Sequence, residues 1–398
     1  MSRLLFASLF LFVASPLVAA DKPFFFQKGD RVLFLGDSIT EQHQYSNYVE
    51  LYLTTRFPEW KLFFLNAGIG GDTANGGAGR FQKHVLDEKP TAITINFGMN
   101  DGGYGKFDEK RNETYVKKTI EMVEAAKKAG VRVALLSPNA VDPRVQKRFE
   151  LYLETQKQFY APLKEIAEKN GVSYADQYAI TRSALEKMAK DDPEAKKVKP
   201  FGDGFHTSSP GGMLMAYAIL TGLGAPAKVS DVIIVDGKAS TERCKVEKLT
   251  MGDSITFSRT DEAVPLAIQK DWVTLLPYVN ELKDLNYYGL TIKGLKQGIW
   301  GVLIDGKQVG QFSAEDLATG VNLGNAMTGP VFDHAQKIFT AVNDKNKINQ
   351  KRFRGTILSK TPDKEVIAKL LMDLEEKQAD IYKMLEPKTY AFEVKLVK

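Results

Sequence analysis

One cysteine, four histidines and three tryptophans stand among 398 residues. With Cys244 alone no intrachain disulfide can form, so the fold must rest on its apolar core, which this length permits. Cys244 reads as a small packing residue rather than a thiol nucleophile. An excess of one charge is also missing. Fifty-four basic residues against 49 acidic ones leave a formal +5, not gathered in a basic arm, which argues against nucleic acid as a partner. No Cys/His or carboxylate cluster has metal-ligand spacing, so neither metal nor cofactor is expected. There is no repeat of solenoid period and no low-complexity linker.

What is present begins with an apolar N-terminus, "MSRLLFASLFLFVASPLVAADKP". Arg3 supplies a positive start, Pro16 interrupts the apolar run, and Val18 and Ala20 place small residues before Asp21. This is the layout of a cleavable secretory signal over residues 1–20, implying export to the periplasm or beyond. The run is short for a bilayer-spanning helix, and no cysteine follows the cleavage site to carry a lipid. No stable membrane anchor is therefore expected.

Residues 21–225 alternate apolar runs ("RVLFLGD", "KLFFLNAG", "TAITINFG", "VRVALLSP", "VSYAD") with amphipathic stretches. The stretch "ETYVKKTIEMVEAAKKAG" predicts one helix. "VQKRFELYLETQKQFYAPLKEIAEKNG" predicts another, starting at Asp142–Pro143 with Asp142 as N-cap. Continuous apolar strands alternating with helices indicate an α/β fold with a parallel sheet covered on both faces, whose ligands bind beyond the carboxyl ends of the strands. Asp236–Gly237 and Asp305–Gly306 mark hairpins in a β-rich unit over 226–320. Residues 321–398 read as a helical segment closed by a final strand.

The pentapeptide Gly-Asp-Ser-Ile-Thr occurs twice, with Ser38 and with Ser254. Ser38 directly follows a buried strand and precedes a helix, where such a sheet displays reactive groups. Ser254 lies in an alternating polar–apolar run, as a solvent-side strand or turn residue. A serine nucleophile also needs a base, an orienting acid and an oxyanion hole. Of the histidines only His206 has a suitable acid, Asp203, three residues before it. His334 sits beside Asp333 in a predicted helix, where neighbours point apart, while His43 and His84 read as exposed helix or loop residues. Gly71 offers an approachable N–H and Asn100 an amide donor; with the Ser38 N–H they make a three-donor oxyanion hole. Asp37, Asp72 and Asp101 read as loop-tying residues, and Trp60, Trp272 and Trp300 as core.

Ser38 in "GDSIT", Gly71 in "GIGGDT", Asn100 in "GMND" and His206 in "DGFH" resemble, in that order, the four-block signature of the SGNH, or GDSL, hydrolase superfamily. The resemblance covers about residues 28–225. It implies a flavodoxin-like three-layer α/β/α sandwich and ester hydrolysis through an acyl-enzyme. Ser38 carries over as nucleophile, Asp203 and His206 as acid and base, Gly71 and Asn100 as oxyanion donors. The polar and aromatic segments "EQHQYSNY" and "DGGYGKF", with Gly102 and Gly103 opening space, suit a small acyl group on a hydroxyl-rich alcohol. The expectation is an exported esterase acting on short-chain, chiefly acetyl, esters of small molecules or glycans. The alternatives are a lipolytic or thioester hydrolase of the same superfamily, or a glycan-binding protein on an inactive scaffold.

Overall fold

The computed structural model describes residues 23–397, so the signal-like segment 1–20 lies outside the described residues. The apolar runs become β1 (Arg31–Gly36), β2 (Phe63–Gly68), β3 (Ala92–Asn96), β4 (Arg132–Leu136) and β5 (Ser173–Ala175). They form one parallel sheet in the order β2-β1-β3-β4-β5. On β1, Leu35 is aligned with Ala67 of β2 on one side and Ile95 of β3 on the other. Chain order reverses between β1 and β3, so the connections after these two strands part and leave a crevice at their carboxyl ends.

Helices α1 (Ser38–Glu41), α2 (Gln44–Arg56), α3 (Ala74–Gly79), α4 (Phe81–His84), α5 (Glu109–Lys128), α6 (Phe149–Tyr160), α7 (Pro162–Asn170), α8 (Gln177–Asp191) and α9 (Ser209–Gly222) accompany the sheet. The result is the three-layer α/β/α sandwich expected. α5 starts where the Asp108 carboxylate accepts from the Arg111 N–H at 3.0 Å, and the chain leaves it through Gly130 at φ 74°. The second long amphipathic stretch is not one helix and does not start at Asp142. Asp142 is fully buried and grips the Arg144 guanidinium through both oxygens, at 2.9 and 2.7 Å, so it caps no helix. The helix begins only at Phe149 and restarts at Pro162, whose missing N–H suits a first turn and breaks the ladder before it.

Beyond α9 come β6 (Lys228–Val235), β7 (Lys238–Glu242), β8 (Cys244–Thr250), β9 (Ser254–Asp261), β10 (Tyr287–Ile292), β11 (Ile299–Ile304), β12 (Lys307–Ser313), the short helix α10 (Ala314–Thr319), β13 (Val321–Asn322) and, far later, β14 (Thr389–Leu396). They build two sheets, β13-β10-β6-β7 and β12-β11-β14-β9-β8. The β6–β7 turn holds Asp236 and Gly237 at φ 49° and 70°; the β11–β12 turn holds Asp305 and Gly306 at 46° and 76°. Two positive φ values in succession are what the tight hairpin turn of the primed type demands.

The apolar interior divides in two. One core lies between the two later sheets, which pack as a β-sandwich, with Val232, Phe257, Leu290, Val302 and Val394. The other is the hydrolase core, joined by residues from later in the chain. Trp272, Leu275 and Leu282 enter it, as do Ile338 and Val342 of α11 (Pro330–Gln350) and Leu374 and Ile381 of α12 (Lys364–Met384). α2 consequently lies between α9 and α11 and is buried on nearly every side, including Glu50 and Arg56. The sandwich is held at the far end of α2. There Arg56 donates to the carbonyls of Pro226, Ala227 and Leu285, and the Val264 N–H donates to the Thr55 carbonyl.

Candidate active site

β1 ends at Gly36, and the chain turns directly into α1. The buried Asp37 caps that helix, its carboxylate accepting from the Ile39 N–H at 3.0 Å. Ser38 is the first residue of α1 and is half-buried at the crevice. Gly36 is required by contact: a Cβ there would stand 2.7 Å from the Asn96 carbonyl oxygen of β3.

The histidine arrives on a short loop between α8 and α9. Phe201 and Thr207 pair in an antiparallel bridge that pinches its base. Inside it, Asp203 Oδ1 accepts from the N–H groups of Phe205 and His206 at 3.1 and 2.9 Å. This side-chain turn leaves Asp203 Oδ2 facing His206 Nδ1 at 2.7 Å, and His206 Nε2 stands 2.8 Å from Ser38 Oγ. Partial burial opposes charge on Asp203, but the bonds from the His206 ring and the two backbone N–H groups hold its carboxyl below the usual range. An ionised carboxylate only accepts, so Nδ1 carries the proton, Nε2 is the acceptor, and the Ser38 hydroxyl donates to it. The loop is tied to the serine side as well: Gln42 Oε1 accepts from the Thr207 N–H at 3.2 Å and from its hydroxyl at 3.1 Å.

Gly71 and Asn100 stand at the ends of β2 and β3, on the same edge. Gly71 is exposed in a turn at φ 75°. A Cβ there would meet nothing within 4 Å, so the backbone angle rather than space calls for glycine. Asn100 Nδ2 donates to the Asp72 carbonyl at 2.9 Å, and its Oδ1 accepts from the Tyr104 hydroxyl at 3.0 Å. A carbonyl can only accept, so the amide group's orientation is fixed, with one N–H not used in these two bonds.

The three flanking aspartates tie loops. Asp72 pairs with Arg80 at 2.8 Å, and Asp101 accepts from the Ala74 N–H at 2.9 Å. Burial, with Asp101 and Asp72 adding negative charge nearby, pushes the Asp37 carboxyl up to about 7; burial pushes that of Asp101 to about 6. Among the described residues no group of three or more His, Cys, Asp or Glu is arranged to hold a metal ion.

Several details differ from expectation. His43 is buried, at left-handed φ 62°, and burial and Lys345 push its pKa to about 4, so it is a neutral core residue. Most of "EQHQYSNY" turns inward as α2, burying Tyr45 and Tyr48; Glu41 and Gln42 remain at the rim. Gly102 and Gly103 open no space: Cβ atoms there would strike the Tyr152 hydroxyl and the Arg111 guanidinium. As expected, Ser254 starts β9, paired with Lys395 in the sandwich, and His334 lies in a helix, its Nε2 bonding the Met384 carbonyl at 2.7 Å. Gln42 and Tyr104 also support the site, through Thr207 and Asn100, and their only signal in the sequence is a polar side chain four residues after Ser38 and after Asn100.

Residues 34–212 match the GDSL-like lipase/acylhydrolase family. The chain is 26% identical to an acetylxylan esterase of Geobacillus stearothermophilus over 218 residues, 49% of this chain and 94% of that protein. It is 26% identical to thioesterase 1/protease 1/lysophospholipase L1 of Escherichia coli strain K12 over 137 residues, 34% of this chain and 65% of that protein. The structure of a gut microbial diltiazem-metabolizing enzyme superposes with a TM-score of 0.81 at 24% identity, over 94% of this chain and 98% of that one, so the fold with its sandwich and terminal helices is shared. Residues 34–212 thus form a GDSL-like lipase/acylhydrolase domain, and the protein is a carboxylic ester hydrolase.

Proposed function

We propose that the protein is an exported serine esterase that removes short acyl groups, chiefly acetyl, from carbohydrates through an acyl-enzyme on Ser38. The observation that carries this reading is the unbroken chain Ser38 Oγ–His206 Nε2 (2.8 Å) and His206 Nδ1–Asp203 Oδ2 (2.7 Å) at the sheet's carboxyl edge. In this mechanism Ser38 Oγ bonds the ester carbonyl carbon as its proton passes to Nε2. The carbonyl oxygen becomes an oxyanion facing the Ser38 and Gly71 N–H groups and the free N–H of Asn100. Collapse expels the alcohol, which takes the proton from Nε2. Water then repeats the cycle, giving its proton to Nε2 and its oxygen to the acyl carbon, and the acid leaves as Ser38 recovers its hydrogen. Asp203 holds the imidazole tautomer and stabilises the imidazolium.

The substrate class rests on the rim and on similarity. Glu41, Gln42 and the exposed Gly71 backbone give the crevice polar borders suited to a hydroxyl-rich alcohol rather than to a long acyl chain, which needs extended apolar walls. The similarity to an acetylxylan esterase over 94% of that protein supports the same reading. Export rests on residues 1–20 of the sequence; no helix among the described residues is long and apolar enough to cross a membrane.

The test is a set of 4-nitrophenyl esters of two, four, eight and twelve carbons together with an acetylated xylooligosaccharide. Rates should fall with chain length and acetate should be released. Ser38→Ala and His206→Ala should each lower turnover by several orders of magnitude with the fold intact. A maximum at eight carbons or more without acetate release would favour a lipolytic enzyme. A folded Ser38→Ala variant with wild-type turnover would sink the assignment.

A further inference from the structure

The chain between α11 and α12 does not run as a plain loop. Lys351–Ile357 is wound as a π-helical turn, a wide geometry often found at functional positions. It is anchored immediately before Arg354. The Arg352 guanidinium donates to both oxygens of Glu88, at 2.9 and 3.1 Å, and Phe353 is buried, edge-on to His84. Arg354 is thereby delivered to the crevice, where its Nε stands 2.6 Å from Glu41 Oε1. The other oxygen of Glu41, Oε2, accepts from the Gly70 N–H. Gly70 adjoins Gly71, and a Cβ placed on it would lie 2.9 Å from Glu41 Oε2 and 4.0 Å from Ser38 Cβ. One carboxylate thus joins a residue more than three hundred positions downstream to the turn beside the nucleophile.

We propose that Arg354 is a positioning residue: by holding Glu41, it fixes the Gly70–Gly71 turn so that the Gly71 N–H faces the developing oxyanion. This rests on the reading of Ser38 and Gly71 given above. The physical need is plain. Gly70 and Gly71 are both exposed, and adjacent glycines have wide backbone freedom. A donor serves a transition state only when its direction is set in advance. A charge-assisted bond from the Gly70 N–H supplies that restraint, provided Glu41 does not swing toward water. Arg354 prevents the swing. It touches no substrate in this role, so its effect falls on turnover rather than on binding.

The experiment measures kcat and KM on 4-nitrophenyl acetate for Arg354→Ala, Arg354→Lys, Glu41→Ala and the double variant Glu41→Ala/Arg354→Ala, with thermal melting alongside and Ser38→Ala as reference. The Arg354–Glu41 side chains are 38% and 22% exposed, so the pair is worth what partly exposed ion pairs are worth. Arg354→Ala should lower kcat about three- to fivefold, with KM changed less than twofold. Glu41→Ala, which removes the bond to Gly70 itself, should lower kcat on the order of tenfold. The double variant should be no slower than Glu41→Ala, and Arg354→Lys should recover most of the loss. A merely structural role would lower the melting temperature without this kcat selectivity and non-additivity. Arg354→Ala with unchanged kcat, or a double variant whose loss is the product of the single losses, overturns the inference while an inactive Ser38→Ala leaves the esterase reading standing. An active Ser38→Ala overturns both.

Discussion

At the residue scale, the immediate neighbour of Ser38 is an acid whose titration is displaced into the neutral range. Asp37 sits at about 7 against an unfolded value near 3.8. A group whose folded pKa is raised binds its proton more tightly in the native state. Its carboxylate form therefore costs no stability below the unfolded value, progressively more as pH rises from about 4 to about 7, and a constant amount above that. Asp37→Asn keeps an oxygen to cap the Ile39 N–H and removes the titration. The variant should gain stability relative to wild type between pH 4.5 and pH 8, by an amount on the order of a few kcal/mol. Paired melting curves at the two pH values check it, and an unchanged difference would show that the burial of Asp37 is relieved in solution. Tyr104 offers a second case. Its hydroxyl orients the Asn100 amide, so Tyr104→Phe should lower kcat several-fold with little change in KM, measured on 4-nitrophenyl acetate.

At the element scale, the parallel sheet was open to reading because its central strands are buried on both faces and therefore appear as unbroken apolar runs. Val32–Leu35 and Ile93–Ile95 are examples. The four blocks were readable for a related reason: glycine and polar residues must interrupt the apolar run where each strand ends. α2 was less legible. "QYSNYVELYLTTR" shows no clear apolar stripe because partners cover it from several directions, and its buried charges meet residues far away in the chain. Lys345 of α11 bonds Glu50 within a buried network that includes Asn346 and Gln378. Local sequence gives no hint of a pairing 295 residues apart. Removing Lys345 alone would strand Glu50, so Lys345→Ala should cost about 3–5 kcal/mol in urea unfolding. Glu50→Gln/Lys345→Met should recover much of that loss. Equal instability of the single and double variants would place the cost in packing.

At the scale of the whole molecule, the later half of the chain meets α2 at two places, and its two parts also touch, the Tyr390 hydroxyl of β14 lying 3.2 Å from His334 Nδ1 of α11. The terminal helices run along α2 toward the crevice. The sandwich clasps the far end of α2, and Arg56 is its chief rivet, with its guanidinium on three carbonyls. A thirteen-residue helix spans roughly 20 Å, so the end of α2 that the sandwich clasps stands away from Ser38. Arg56→Met should accordingly loosen the sandwich, seen as a second transition in melting, while kcat at temperatures below that transition stays near wild type.

The position of β14 carries a consequence for how the protein is made. It lies between β9 and β11, so the middle of a five-stranded sheet is supplied by residues 389–396. Thr260 and Thr389, cross-strand partners, are 129 residues apart. At ordinary rates of synthesis that interval lasts on the order of ten seconds. β9 waits through all of it, and β11 through the part that follows residue 304, without the strand between them, so Ile255, Phe257, Val302 and Ile304 lack a neighbour to cover them. Unpaired apolar edges recruit other chains. The nascent protein is therefore a client for holding factors until its last strand emerges, and a ribosome stalled before residue 389 would leave behind an aggregation seed rather than a slightly shortened enzyme.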